Sequence, residues 1–522
     1  MTSDLVLAID QGTGSTRAIA YDGTWTPVAH ATHALETTHP RAGWSEQDPA
    51  AILASVVDVV GAVVREVGGP ERIAAVGLDN QGETVVAWDR ATGEPLAPAV
   101  LWHCRRSQAI VDRVAAAGHA RAIRDRTGLP LDPYFSAGKV RWLLENVEAV
   151  AAAERTGRLA VGTVDAWLTA RLGDGPRTDP STASRTQLFD LRSLGWDDDL
   201  ARWWDVPIDS LPAVGPTVGD LGRLTIRGAG SLPLRAMACD QQAALAGQGG
   251  HHAGTTKATF GTGVFVLANA GPEVPQPVEG ILTTIAWTDA AGRPTYALDG
   301  GVFSAGALLS WLSDDLGIFE TAADLDALAS QVGDAGGVRI LPALGGVGAP
   351  WWQPRARGVI AGLTGATRRG HLARAALDAI AQRTADVVQA MRPGLAAVPP
   401  AIRVDGGVTA SSLLVRRLAD LLGTPVDVAA ASESTALGVG LLAAIGADRL
   451  DAAGAAAVAA TARRVEPRLR DPVRLAERRA WRAFVPRAVA LEATTADPSA
   501  EGDPAAGAAT SGHSSSTPEG VS

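Results

Sequence analysis

Two stretches in opposite halves of this 522-residue chain share one plan. LVLAIDQGTGSTRAIAYD (5–22) is an apolar run, a Gly-Thr-Gly turn and a second run. TKATFGTGVFVLAN (256–269) repeats it. Short runs rich in β-branched residues on either side of a glycine turn read as β-hairpins. A hairpin at the head of each half, followed by mixed strand and helix signals, predicts two α/β domains of related plan.

The remaining signals fit that division. Residues 49–69 carry apolar residues at helical spacing and stop at Gly68-Gly69, and 375–391, 413–423 and 434–446 read as further helices. Residues 72–79 read as a strand, with 83–89 as its expected partner, and 401–411 as a strand running into a glycine turn. The expected domains are 1–250 and 251–490. Residues 491–522, rich in Ser, Pro, Gly and Ala, have too few large apolar residues to fold and read as a disordered tail.

Composition excludes several function classes. A net charge of −10 and a pI near 5.5 leave no broad basic footprint for nucleic acid. No apolar run approaches the ~18 residues of a membrane span. The N-terminus has neither the basic nor the apolar region of a signal peptide. Cys104 and Cys239 are the only cysteines, too few for a disulfide framework or a thiolate zinc site. The expectation is a soluble, cytoplasmic protein.

Four segments could carry chemistry. In AIDQGTGSTRA (8–18), Gly12 and Gly14 allow a turn that brings backbone N–H groups to a phosphate, and Thr13, Ser15, Thr16 and Arg17 add hydroxyls and a cation. Asp10 could hold Mg²⁺. A plain hairpin with a solvated Arg fits the same residues, and no Walker loop is present. TFGTGVF (259–265) repeats the turn with only Lys257 as a nearby cation. VDGGVTASS (404–412) pairs glycines between strand and helix, as a nucleotide site or a tight connection would. In MACDQQAAL (237–245), Asp240 could be a general base with Gln241 as its guide, or simply an N-cap. Trp102 and Tyr134 could wall a pocket or pack a core. His103 and His251-His252 lack the partners of a triad or metal site. Three Gly/Thr turns spread over two domains together suggest a nucleotide held between them.

These segments, with AGWSEQDP, AVLWHCRRS, DPYFSAGKV, STASRTQLFDL and GVGAPWWQPRARGVIAGLT, occur in an order that resembles the FGGY family of carbohydrate kinases, and within it the glycerol kinases. The resemblance runs from about residue 5 to 488. It implies two actin/ribonuclease-H-like α/β domains flanking an active-site cleft. By similarity, Thr13, Gly14, Ser15 and Arg17 would meet the transferred phosphate of ATP, with Asp10 near Mg²⁺. Gly261 and Thr262 would hold the phosphates from the other side, and Gly306, Ser310, Gly407 and Ser411 would line the nucleotide. Asp240 would take the proton of the acceptor hydroxyl. Glu83, Trp102, Tyr134, Asp240, Gln241 and Phe265 would surround a small polyol. The implied reaction is ATP-dependent phosphorylation of glycerol to sn-glycerol 3-phosphate in glycerol catabolism. Homo-oligomers are implied only by analogy.

Three departures stand out. Where glycerol kinases usually read Asn-Gln-Arg-Glu-Thr, this chain reads Asn80-Gln81-Gly82-Glu83-Thr84. Gly82 removes a charged fork and is expected to leave space, which makes erythritol or a pentitol an alternative acceptor. Ser310 and Ser411 stand at nucleotide-lining positions usually filled by Gln and Asn. RGAGSLPLRAMACD (227–240) lacks the Arg-containing pattern that binds fructose 1,6-bisphosphate in regulated bacterial glycerol kinases, with Ser231 in the place of that Arg, so no such inhibition is expected. A non-catalytic sensor on the same fold would call for loss of Asp10, Arg17, Asp240 or Thr262, and all four are present.

Overall fold

The computed structural model describes residues 4–431 and 433–495. Strands β1 (Leu5–Gln11), β2 (Ser15–Tyr21), β3 (Pro27–Ala34), β4 (Ile73–Asn80), β5 (Arg223–Ile226) and β6 (Gly230–Cys239) form one sheet, in the order β5-β6-β4-β1-β2-β3. Strands β7 (Thr256–Phe260), β8 (Val264–Gly271), β9 (Leu282–Thr288), β10 (Pro294–Val302), β11 (Ile402–Asp405), β12 (Val426–Ala429) and β13 (Thr461–Val465) form the other, in the order β9-β10-β8-β7-β11-β12-β13. In both sheets an antiparallel hairpin opens the unit and its first strand pairs in parallel with a later one: β1 with β4, β7 with β11. This is the actin/ribonuclease-H-like plan, present twice, as the duplicated hairpins predict.

Seven helices position the site or cover the sheets: α1 (Pro49–Glu66), α2 (Ser136–Asn146), α3 (Asp240–Gly247), α4 (Arg369–Met391), α5 (Ser412–Leu422), α6 (Ser434–Gly446) and α7 (Asp471–Thr495). The start of α1 follows local chemistry. Asp48 accepts a hydrogen bond from the Ala50 N–H at 2.9 Å and Pro49 opens the first turn.

Strand β1 is buried on both faces. Leu5, Leu7 and Ile9 pack with α1, while Val6 and Ala8 face α3 and α6. A sheet sandwiched in this way needs continuous apolar strands, which is why LVLAI does not alternate with polar residues. In the second sheet Ala258, Phe260, Val264 and Val266 share a core with α4 and α5, and Leu267 and Ala297 meet Leu245 of α3. Helix α3 therefore touches both sheets. It crosses α6 with backbones in contact: a Cβ on Gly247 would lie 1.9 Å from the Ser434 carbonyl oxygen, and one on Gly438 would lie 1.8 Å from that of Ala243. Although α6 comes late in the chain, it packs on the first sheet.

Three sequence expectations change. Residues 83–89 do not pair with β4. Val86–Asp89 pairs antiparallel with Leu159–Gly162, and in the turn before it Gly82 and Glu83 line a cavity. Gly12 and Gly14 are not in the left-handed region, so their turn does not depend on φ. The tail expected from 491 starts inside α7, which continues to Thr495, and 496–522 lies outside the described residues. Among the described residues no helix is long and apolar enough to cross a membrane.

Candidate active site

Strands β1, β4 and β6 run in parallel and end together, with Asp10 opposite Asp79 and Ala238 opposite Asp79 on its other side. Asp240, the first residue of α3, follows directly from β6. The edge at the carboxyl ends of parallel strands is where α/β sheets place ligands. Here it brings Asp10, Asp79 and Asp240 to one floor. Burial, followed by the neighbouring Asp10 and Asp240 charges, pushes the Asp79 carboxyl well above the usual range. Apart from the facing Asp10 carboxyl, no group hydrogen-bonds its two oxygens. Asp10 is raised by burial too. Two such carboxyls side by side share one proton or a cation.

A compact cavity of about 90 Å³ opens beside this floor. It is lined by Thr13, Gly82, Glu83, Trp102, Tyr134, Arg185, Cys239, Asp240, Gln241, Gln242, Phe265 and Asp299. All six sequence-predicted polyol residues are in it, and Gly82 with them. Trp102 sets its ring edge-on to both Tyr134 and Phe265, with centroids 5.5 and 6.3 Å apart, which gives an apolar wall. The polar knot at 79–84 is held by amides. Gln81 Nε2 donates to Gln47 Oε1 at 3.0 Å, Gln47 Nε2 donates to the Thr13 carbonyl at 2.6 Å, and Trp102 Nε1 donates to Thr13 Oγ1 at 2.9 Å. The first hairpin turn, the AGWSEQDP segment and the aromatic wall are thus one network.

Glu83 Oε1 accepts from Arg185 Nε at 2.7 Å, and the guanidinium NH1 lies 2.8 Å from Asp299 Oδ2. All three side chains are nearly excluded from solvent. Below them Lys139 of α2 donates to the carbonyl oxygens of Glu83, at 3.2 Å, and of Tyr134. Burial lowers Lys139 from 10.5 to about 8.

Asp240 is not an N-cap. It is the first helical residue and Cys239 holds the cap position, so the capping alternative falls. One oxygen of Asp240 accepts from the Gln241 N–H at 2.6 Å. Burial, then the Asp10 charge, raises its carboxyl above 3.8. Gln241 Oε1 accepts from Lys257 Nζ at 2.7 Å, and that ammonium also donates to Thr259 Oγ1 at 3.0 Å.

A larger cavity of about 680 Å³ lies on the second half, lined among others by Gly261, Thr262, Gly306, Ser310, Asp314 and Gly407. It adjoins the smaller cavity through one hairpin, since Gly261 and Thr262 form the turn before β8 and Phe265 is the second residue of that strand. Gly406 is left-handed, with φ of 91°, and a Cβ there would lie 2.2 Å from the Phe260 carbonyl oxygen. Gly14, Gly261 and Gly407 instead have open space where a Cβ would project, so a ligand can approach the backbone. Ser411 stands apart. Its Oγ accepts from the Leu414 N–H at 3.1 Å, capping α5, and donates to Asp326. Arg17 NH1 pairs with Glu433 Oε2 at 2.8 Å and lies 3.8 Å from Asp10 Oδ2, which places it over the carboxylate floor beside the start of α6.

Residues 5–247 match the N-terminal domain of the FGGY family of carbohydrate kinases, and residues 256–447 match its C-terminal domain. The chain belongs to the FGGY family of carbohydrate kinases. This FGGY kinase is 42% identical over 486 residues to a glycerol kinase of Geobacter sp. (strain M21), covering 92% of this chain and 98% of that one. It is 45% identical over 443 residues to a glycerol kinase of Alkalilimnicola ehrlichii, covering 84% and 89%. Among solved structures it is similar to Plasmodium falciparum glycerol kinase with ADP, with a TM-score of 0.87 at 28% identity over 94% and 99% of the two chains. A xylulose-type kinase from Brucella ovis gives 0.83 at 25% identity over 93% and 100%. The chemistry of the family is phosphoryl transfer to an alcohol.

Sequence reasoning gave no role to four groups in or under these cavities of the FGGY kinase, Asp79, Lys139, Arg185 and Asp299, and named Lys257 only as a cation near the second turn. Asp79 sits in the polar knot and Arg185 in the STASRT segment, so a signal existed for both. Lys139 likewise belongs to the DPYFSAGKV segment, whereas Asp299 is a strand residue set apart by its burial.

Proposed function

We propose that this FGGY kinase transfers the γ-phosphoryl group of ATP to a terminal hydroxyl of glycerol, giving sn-glycerol 3-phosphate and ADP. The observation that carries this reading is that Asp240 shares one small cavity with Glu83, Gln241 and an aromatic wall, while the hairpin bearing Phe265 also turns into the larger cavity. Carboxylates and amides suit hydroxyls, and aromatic faces suit the carbons between them. The curated relatives that match nearly end to end are named glycerol kinases.

In the proposed step the acceptor hydroxyl gives its proton to Asp240 as its oxygen attacks the γ-phosphorus. The bond from that phosphorus to the β–γ bridging oxygen breaks, and ADP leaves. The raised Asp240 carboxyl accepts a proton more readily than an ordinary aspartate. Glu83, Gln241 and Arg185 orient the polyol, with Gln241 itself held by Lys257. The Gly12 and Gly261 N–H groups are engaged within their own turns, and the backbone N–H groups at 13–15 and 262, together with Arg17, meet phosphate charge.

Mg²⁺ fits the floor. Among the described residues no cluster of three or more His, Cys, Asp or Glu side chains could hold a metal by itself. Magnesium, however, is commonly held by one or two carboxylates with water and phosphate oxygens. Asp10 would supply that donor set together with Asp79, whose oxygens have no partner but the Asp10 carboxyl, and the ion would add neutralising charge to the phosphates.

Gly82 invites a second reading, a longer polyol, but the Cys239 thiol narrows the space expected there. A Cβ on Gly82 would lie 2.7 Å from Cys239 Sγ. The test of the first reading is ATP-dependent glycerol phosphorylation by the wild type and by Asp240→Asn. Removal of the base should lower kcat by about 100-fold to 10,000-fold with the KM for ATP little changed, and unchanged kcat rejects Asp240 as the base.

A further inference from the structure

Gly82 and Cys239 meet on one wall of the cavity, one from the turn after β4 and one from the end of β6. The clash at 2.7 Å means that position 82 can carry no side chain while Sγ stays where it is. Cys239 is itself 2% exposed and packed at the cap of α3. On the same wall, Arg185 NH1 lies 2.8 Å from Asp299 Oδ2 but is not aligned on it as a donor, and Asp299 Oδ1 has no hydrogen-bond partner. Buried donors and acceptors are ordinarily satisfied. Both atoms are closed off from solvent in this structure, yet their residues line the pocket, and an unpartnered guanidinium N–H beside an unpartnered carboxylate oxygen matches a hydroxyl, which accepts from the first and donates to the second.

We infer that Gly82 and Cys239 form one steric specificity element, and that the Arg185–Asp299 pair supplies the charged hydroxyl clamp which position 82 cannot. The pair binds a substrate hydroxyl between NH1 and Oδ1, and the thiol keeps that wall smooth and short. This inference rests on the polyol-kinase reading of the same cavity. It adds that specificity resides in residues 185, 239 and 299, and that changing residue 82 alone cannot restore an Arg-bearing pocket.

A double-mutant cycle tests the steric half. Gly82→Ala should lower kcat/KM for glycerol about tenfold or more in the wild-type background and only about two- to threefold in the C239A background, as coupled neighbours do. Equal losses in the two backgrounds overturn the coupling. Asp299→Asn tests the clamp. It keeps the shape of the side chain, and it should raise the polyol KM about tenfold while the KM for ATP stays put, as expected when a buried hydroxyl partner is changed. An unmoved polyol KM overturns the clamp. Thermal unfolding of each variant separates pocket effects from loss of fold. Should another polyol prove to be the substrate, the glycerol reading fails, and the same ratios measured with that polyol still decide this inference.

Discussion

Lys139 Nζ donates to the carbonyl oxygen of Glu83 at 3.2 Å, so a buried ammonium beneath the cavity holds the main chain that carries a cavity-lining carboxylate. The same ammonium binds the carbonyl of Tyr134. Lys139→Met leaves both carbonyls without this donor. We expect a stability loss of about 1–3 kcal/mol and a raised polyol KM with kcat less affected. Both are read from denaturation and steady-state kinetics.

The Lys139 ammonium also sets a pH signature. Its folded value, about 8, lies below the ordinary 10.5. Between these values the unfolded chain binds more protons than the folded one, so stability from this group rises with pH across that window. The stability difference between wild type and Lys139→Met should therefore grow from about pH 8 to 10.5. A difference that is flat or shrinks there contradicts the assignment.

Asp240 should leave its mark on rate. Burial and the Asp10 charge raise its carboxyl above 3.8, and only the ionised form accepts a proton. The acid limb of kcat/KM should have its midpoint above that ordinary value, with activity falling as pH falls through it.

Much of the fold was legible because duplicated hairpins and apolar strands are local signals. Helix α6 is an example: STALGVGLLAAIG marks its bounds, 434 to 446. What the sequence did not carry was pairing. Val86–Asp89 has the pattern of a partner for β4, yet its partner is Leu159–Gly162, a choice made by packing. The six predicted polyol residues converge in one cavity, but the contacts of Arg185, Lys139 and Asp299 are not legible from the segments that carry them, since their partners are distant in sequence. Gly82 shows the same limit from the other side. Its expected space is narrowed by a thiol from a strand more than half a domain away in sequence.

The crossing of α3 and α6 should be intolerant of any added carbon. Gly247→Ala and Gly438→Ala would each drive a methyl into a backbone carbonyl at under 2 Å. We expect losses of about 1–3 kcal/mol or more, read as lowered Tm. The same variants should lose activity, because α3 begins at Asp240.

Fructose 1,6-bisphosphate should not inhibit. Ser231 stands where regulated relatives would carry an Arg, and it is engaged by Arg223, whose Nε donates to Ser231 Oγ at 2.7 Å. Titration of the bisphosphate at fixed glycerol and ATP should leave the rate level, and a saturable drop contradicts this.

The central claim, that a glycerol-sized acceptor is phosphorylated in the cavity of Glu83, Asp240 and the aromatic wall, is tested most directly by kcat/KM with ATP across glycerol, erythritol and pentitols. Glycerol should give the highest value. A higher value for a four- or five-carbon polyol would contradict it.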